Sequence, residues 1–574
     1  MKLILKEYLA SLGERDQLDA IVPDLLSQLG LNVFSRPARG TRQDGVDVGA
    51  VGSLNGAPEK VYLVSIKAGD LTRKSWDDDS LQSLRRSLNE IRDSYIPNRM
   101  PSEHKDKQIV ICICIGGDVQ ERVRPVLEGF IKQNENGRIA YEEWNGDKLA
   151  ALIEDNFLRE DLVPPETRSL LRKSLAMLDQ PDTSYRYFAS LVGSLAKTDG
   201  FNDAQILRAV RQMALCLWIV FSWAQRAENM ESAYRSAELT LLHTWNIARV
   251  YVGKLTQTAQ GVRLAFHSAF GAYEEISSQY LNANILPYVD KLHGISSAVR
   301  SIDSLDVNLK LFDVLGRLGV RGLWHFWQAT QFPEDQEQLR QEQLDSAKDY
   351  ALAIRQMIAN NPALMSPIKD DQAIDIGIAL FLLGLHPDNK PDMQNWLEQI
   401  FQRCAFAHRS HGHYPCILRH YADLLEHPKA GDDDYRQEVT AASILYPITA
   451  FWAAAHGFDV LYTNIGLFQK ECLAHCNFQF WYPNENSEQR LYTNAAPHGV
   501  MLSDVNVGQS KADFLNHIFR EVESTPYFKE LSAVRSGLWP LIAVACRHHR
   551  LPVPLNFFPL PQQPPPDSPL PVDN

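Results

Sequence analysis

The chain has 574 residues, of which 45% are apolar and 22% charged, and a formal net charge of −13. That length exceeds a single hydrophobic core and calls for two or three domains, and the composition excludes a disordered or fibrous protein. The acidic balance excludes a general coat for nucleic acid, so any phosphate contact has to come from local basic patches.

Residues 1–10 are broken by Lys2, Lys6 and Glu7 and do not form a signal peptide. Residues 18–30 follow as a helix: Leu18, Ile21, Val22, Leu25, Leu26 and Leu29 recur at helical spacing, and Gly30 supplies the stop. Two strand patterns come next, 45–51 and 61–70, separated by Gly52, Asn55, Gly56 and Pro58, which are turn residues. Strict alternation puts Asp47, Gly49 and Val51 on one face of the first strand, and Leu63, Ser65 and Lys67 on one face of the second. One register then sets Asp47 beside Lys67. A carboxylate and an ammonium among so many apolar residues are costly unless they pair or bind something.

Residues 80–92 read as an amphipathic helix with Leu81, Leu84, Leu88 and Ile91 inward. Residues 108–115 form an unbroken apolar run that suits a strand buried on both faces, ended by Gly116 and Gly117. A helix over 119–132 kinked at Pro125, a short strand over 138–142 and a helix over 147–157 complete this region.

The pattern Asp47, linker, Ser65-x-Lys67 on a hairpin, preceded by a helix with an acid before a Leu-Leu pair and a Leu-Gly end, resembles the PD-(D/E)xK nuclease superfamily. This is the restriction-endonuclease-like group, and the match is to its Mrr-type branch. The order helix, hairpin, helix, strand is also that family's core order. The resemblance implies a mixed sheet flanked by helices and a site in which Asp19 is the helix acid, Asp47 the principal metal ligand and Lys67 the catalytic lysine. It further implies the Ile66 carbonyl as an added ligand and Mg²⁺ or Mn²⁺ as cofactor. Where the family has Glu or Gln, this chain has Ser65, which offers an oxygen but no charge. Asp70, Glu59 or Glu90 are the acids available to replace it. Taken singly, the residues also have structural explanations: Asp19 as a first-turn helix acid, Asp47 as a turn acid after Asp44-Gly45, and Lys67 as a solvated strand end.

Such a site hydrolyses phosphodiesters, because carboxylate-held Mg²⁺ polarises the phosphate and a lysine stabilises developing charge. The partner is then DNA, held without sequence readout by Arg36, Arg39, Arg42, Arg85 and Arg86, with Arg73, Lys74 and Arg92 nearby. Alternatives are a non-catalytic binding module on the same fold and a ribonuclease of the HEPN type, whose loose Arg-x4-His pattern fits Arg403 and His408.

From about residue 164 the pattern turns helical, over 204–224, 233–251, 306–318, 336–360, 374–385, 393–406 and 441–455. The expected organisation is an α/β nuclease-like domain over 1–163, a large all-α sensor, partner or oligomerisation domain over 164–550, and a Pro-rich disordered tail over 551–574 with nine prolines. Nuclease domains joined to large helical regions resemble effectors of bacterial anti-phage defence, released by a partner protein or a phage-derived trigger. The strongest apolar runs, 213–224 and 374–385, are too short to span a bilayer, and the eight cysteines have no disulfide-framework spacing, so a cytoplasmic protein without membrane contact is expected. Cys404, His408, His411, His413, Cys416 and His420 put six metal-ligand types within 17 residues, but in no zinc-finger order.

Overall fold

In the computed structural model the described residues are all but 1–4, 7, 8, 11, 13, 15–17, 37–42, 55, 79–82, 158–164, 300, 429–432 and 559–574. The chain divides into two compact units, Met1–Ile276 and Ser277–Asn574. The boundary expected near residue 163 therefore falls inside the first unit.

The first unit is built on a five-stranded sheet. Its strands are β1 (Asn32–Ser35), β2 (Val48–Gly52), β3 (Lys60–Lys67), β4 (Ile109–Ile115) and β5 (Ile139–Trp144), in that spatial order. The first three pair antiparallel, and β3–β4 and β4–β5 pair parallel, so the sheet is mixed. β1 was not foreseen: its four residues are too few for an alternation signal, and pairing with β2 sets them. All seven residues of β4 are buried, as a central strand flanked on both sides requires.

Helix α1 (Asp19–Gln28) packs on one face against β1 and β2. On the other, Val61, Leu63 and the four isoleucines of β4 meet Leu84 and Leu88 of α2 (Leu84–Glu90) and Leu127 and Phe130 of α3 (Arg124–Asn134). Burying each such side chain contributes about 1.5–3 kcal/mol. α2 passes into a π-helical turn, Ile91–Tyr95, which extends the helix expected over 80–92; its first residues lie outside those described. Pro125 does not kink a helix begun at Val119. α3 starts at Arg124, with Pro125 in its first turn, where a missing N–H costs nothing. α4 (Gly146–Phe157) packs against α1.

Further helices belong to the same unit: α5 (Pro165–Ala176), α6 (Pro181–Leu195), α7 (Asp203–Arg226) and α8 (Glu231–Ala248). α7 has 24 residues and, by length and composition, could cross a membrane, yet 72% of its most apolar window is buried inside the protein. It reaches α1 through Arg211, whose guanidinium lies 3.8 Å from Asp24 and donates to Gln28 at 3.3 Å.

The second unit is mainly helical, as the periodicity predicts. Among its elements are α9 (Ser304–Gln331), α10 (Glu337–Asn360), α11 (Ala373–Gly384), α12 (Lys390–Arg409), α13 (Leu445–His456), α14 (Asp459–Cys472) and α15 (Pro540–His549). Residues 551–558 of the expected tail belong to the folded second unit. Leu555–Phe557 forms a 3₁₀ turn, and Phe557 and Phe558 are buried against Phe381, Trp539 and Trp452. Only residues 559–574 of the expected tail lie outside the described residues.

Candidate active site

The chain enters β2 through a tight turn. Asp44 and Gly45 both adopt left-handed backbone, at φ +47° and +83°, and the Val46 amide donates to the Gln43 carbonyl at 3.2 Å. Two successive positive φ values are what a type I′ turn requires, and Asx-Gly supplies them. The Asp44 carboxylate is buried against Arg99 at 2.7 Å, which fixes the turn.

Just after the turn the pairing is irregular. Val48 is the register partner of Val64, yet the Asp47 amide also donates to the Val64 carbonyl, at 2.9 Å. Two residues thus oppose one, as in a β-bulge. Val46 and Val51 consequently pack in one apolar cluster although strict alternation would separate them, and the simple face assignment for Asp47 fails. The bulge brings the Asp47 carboxylate to the backbone of β3, where its Oδ2 accepts from the Ile66 amide at 2.7 Å.

Lys67 ends β3 and is only 7% exposed. Its Nζ lies 3.2 Å and 3.3 Å from the two carboxylate oxygens of Glu14. Glu14 precedes helix α1, and its carboxylate is the ion-pair partner of Lys67. Helical spacing could not find it, because the contact joins positions 53 residues apart. The three substitutes considered are engaged elsewhere. Asp70 accepts from the Asp118 amide at 2.9 Å, Glu59 pairs with Lys107, and Glu90 pairs with Arg86 at 3.3 Å.

Burial pushes the Asp47 carboxyl up to about 6; the Ile66 amide and Lys67 oppose this, while the charges of Glu14 and Asp19 add to it. Glu14, Asp19, Asp47 and Lys67 therefore share one electrostatic neighbourhood with three acids to one base. Ser65 lies buried between Asp47's partner and Lys67, and its Oγ makes no hydrogen bond among the described residues.

These residues fit a hard divalent cation. Asp47 engages one carboxylate oxygen with Ile66, the local charge is negative, and the Ser65 hydroxyl is an orphaned oxygen. Among the described residues no three His, Cys, Asp or Glu side chains stand close enough to share one ion. Mg²⁺ is commonly held by one or two carboxylates with water completing its shell.

The basic residues are distributed less simply than the sequence suggested. Arg36 lies where its charge acts on Asp24 and Arg211, beside α1. Arg85 and Arg86 are exposed, but each has an acid of its own: Asp77 at 2.6 Å and Glu90 at 3.3 Å. Arg39 and Arg42 lie outside the described residues. Arg73 and Lys74, just beyond β3, are exposed with no ion-pair partner among the described residues.

In the second unit, the Cys404–His420 segment brings no three ligand types together among the described residues. Cys404 is buried, and burial raises the Cys416 thiol to about 11. His408 is buried against the rings of Tyr414 and Phe468, while Arg403 is exposed, so this pair presents no common face to solvent. Burial and the surrounding Arg436, His475, Arg409 and His411 lower the His408 imidazole to about 4.

No family model, curated protein or solved structure matches this chain.

Proposed function

We propose that the first unit is a metal-dependent endonuclease that hydrolyses DNA phosphodiester bonds at the β2–β3 site. The observation that carries this reading is the convergence of Glu14 on Lys67 beside an Asp47 whose carboxyl is raised to about 6 by burial and neighbouring acids. A sheet whose antiparallel hairpin is followed by two parallel strands supports the restriction-endonuclease-like assignment.

Asp47 would hold Mg²⁺ or Mn²⁺, with the Ile66 carbonyl, the Ser65 hydroxyl and Asp19 as further oxygens around it. When bound, the cation supplies charge relief to the phosphate and a more acidic water. The remaining roles belong to the chain. Lys67 presents an ammonium, held by Glu14, to the charge that develops on the phosphate, and pre-orientation of this kind is worth more in a desolvated site than in water. The Ile66 amide holds the Asp47 carboxylate in one orientation.

Purified protein is expected to cleave plasmid DNA with Mg²⁺ or Mn²⁺, and Asp47→Ala or Lys67→Ala to abolish cleavage. Glu14→Gln should reduce it on the order of 10²-fold, as expected when a positioned charge loses its support. Cleavage that survives both alanine substitutions would sink the assignment. The competing reading is a nuclease-fold binding module; its mark would be DNA binding without either cleavage or heat of Mg²⁺ binding in calorimetry.

A further inference from the structure

The second unit carries most of the chain's acid excess, with 23 Lys and Arg against 33 Asp and Glu. Within it, residues 402–420 hold three arginines, four histidines and no acid. This basic stretch covers the C-terminal half of α12 and the loop after it. It borders a cavity of about 350 Å³, lined among others by Ser366, Gln402, Arg403, Phe406 and His413. That volume is in the range of small-ligand sites.

Three features of the lining bear on what the cavity takes. Arg403 is exposed and has no ion-pair partner among the described residues, unlike Arg436, which pairs with Asp433, and Arg409, which reaches Glu471 at 4.0 Å. Phe406 is 72% exposed and stacks on no other ring among the described residues. A phenyl ring so exposed loses apolar burial unless a ligand covers it. The floor is neutral: Pro367 and Cys404 are buried, and burial keeps the Cys404 thiol protonated. The nearby buried acid, Asp370, is occupied by Ser443 and by the amides of Ile444 and Leu445 at the start of α13. Its charge is directed into that cap.

We propose that this cavity binds a nucleoside monophosphate, with the phosphate on Arg403 and His413 and the base stacked on Phe406. A guanidinium forks two donors onto phosphate oxygens, and any base offers a π-face to a phenyl ring. Ser366 and Gln402 provide hydrogen-bonding groups for the sugar or base edge. The cavity lies in the second unit, and this ligand chemistry stands whether or not the N-terminal site cleaves DNA.

Calorimetry on the full chain tests it with AMP, GMP, CMP and UMP, with adenosine, with inorganic phosphate, and with a 5′-phosphorylated oligonucleotide. One or more monophosphates should bind, with adenosine and phosphate each weaker by on the order of tenfold or more. Arg403→Gln should weaken monophosphate and phosphate together. Phe406→Ala should weaken monophosphates alone, on the order of tenfold, and Phe406→Tyr should restore them. Unchanged phosphate affinity in Phe406→Ala shows that this variant is folded. No binding of any monophosphate at millimolar concentration overturns the proposal. So do equal affinities for phosphate and monophosphate, indifference to Arg403→Gln, or binding of the oligonucleotide alone.

Discussion

The Asp47 carboxyl is an unfavourable anion in the folded chain, and that has a measurable sign. Its folded pKa, about 6, lies above the unfolded value of roughly 3.9. The folded state therefore holds the proton longer, and stability falls as pH rises from about 4 through about 6, then levels off. Asp47→Asn removes this cost, so above pH 6 the variant should be more stable than the parent by about 1–3 kcal/mol, with the difference vanishing near pH 4. Asp370 and Asp375 also titrate near 6, so the parent curve alone cannot identify the group, whereas the difference between the two proteins isolates Asp47. Mg²⁺ should raise the melting temperature of the parent at pH 7 and leave Asp47→Asn unmoved, because binding to the folded state alone stabilises by mass action. Equal pH profiles for both proteins would show that the carboxyl is not held up by its surroundings. Gain of stability with loss of cleavage is the pattern of a residue kept for function rather than for folding.

At the level of elements, the turn at Asp44-Gly45 decides where Asp47 goes. A Cβ on Gly45 would meet the Ser87 carbonyl oxygen of α2 at 2.1 Å, and the residue sits at φ +83°. Gly45→Ala is thus strained twice, by the left-handed backbone and by a rigid neighbour, and should destabilise the first unit by roughly 2–4 kcal/mol in urea titration. A loss under 1 kcal/mol would mean that the turn relaxes freely and does not fix the entry to β2. The sequence made the β2–β3 hairpin legible because the turn residues Gly52, Asn55, Gly56 and Pro58 and the β-branched runs around them are local signals, and it made β4 legible because seven buried apolar residues leave no alternation to misread. It could not show the bulge at Asp47, since the extra residue depends on what β3 offers across the sheet. Nor could it show Glu14, which becomes a partner of Lys67 only through packing of distant segments. At Pro125 the same missing N–H that kinks a helix interior marks a start, because α3 begins beside it.

For the whole molecule, the two units carry different charges. Residues 1–276 hold 34 Lys and Arg against 37 Asp and Glu, nearly balanced, while the second unit has an excess of ten acids. DNA carries one charge per about 1.7 Å of axis, so the second unit opposes binding wherever its surface lies within a Debye length of the backbone, about 10 Å at 0.1 M salt. The fragment to compare with the full chain is 1–285, which keeps the helix Gln257–Asn284 whole, and not 1–163. The shorter piece would remove Arg211, which is buried beside Asp24 of α1, and losing one member of such a pair costs about 3–5 kcal/mol. If the second unit restrains the proposed nuclease, the 1–285 fragment should bind and cut plasmid DNA at least several-fold better than the full chain. The gap should narrow as salt is raised from 50 to 200 mM, since screening weakens repulsion and attraction alike. Fragments of one discrete size from a random-sequence plasmid would contradict cleavage guided by phosphates alone. Equal cutting by fragment and full chain, at equal folded concentration and at every salt, would remove any restraining role for the second unit. A gap that persists undiminished at high salt would point instead to steric cover of the β2–β3 site, and Asp47→Ala in the fragment would still have to abolish the activity for the site assignment to hold.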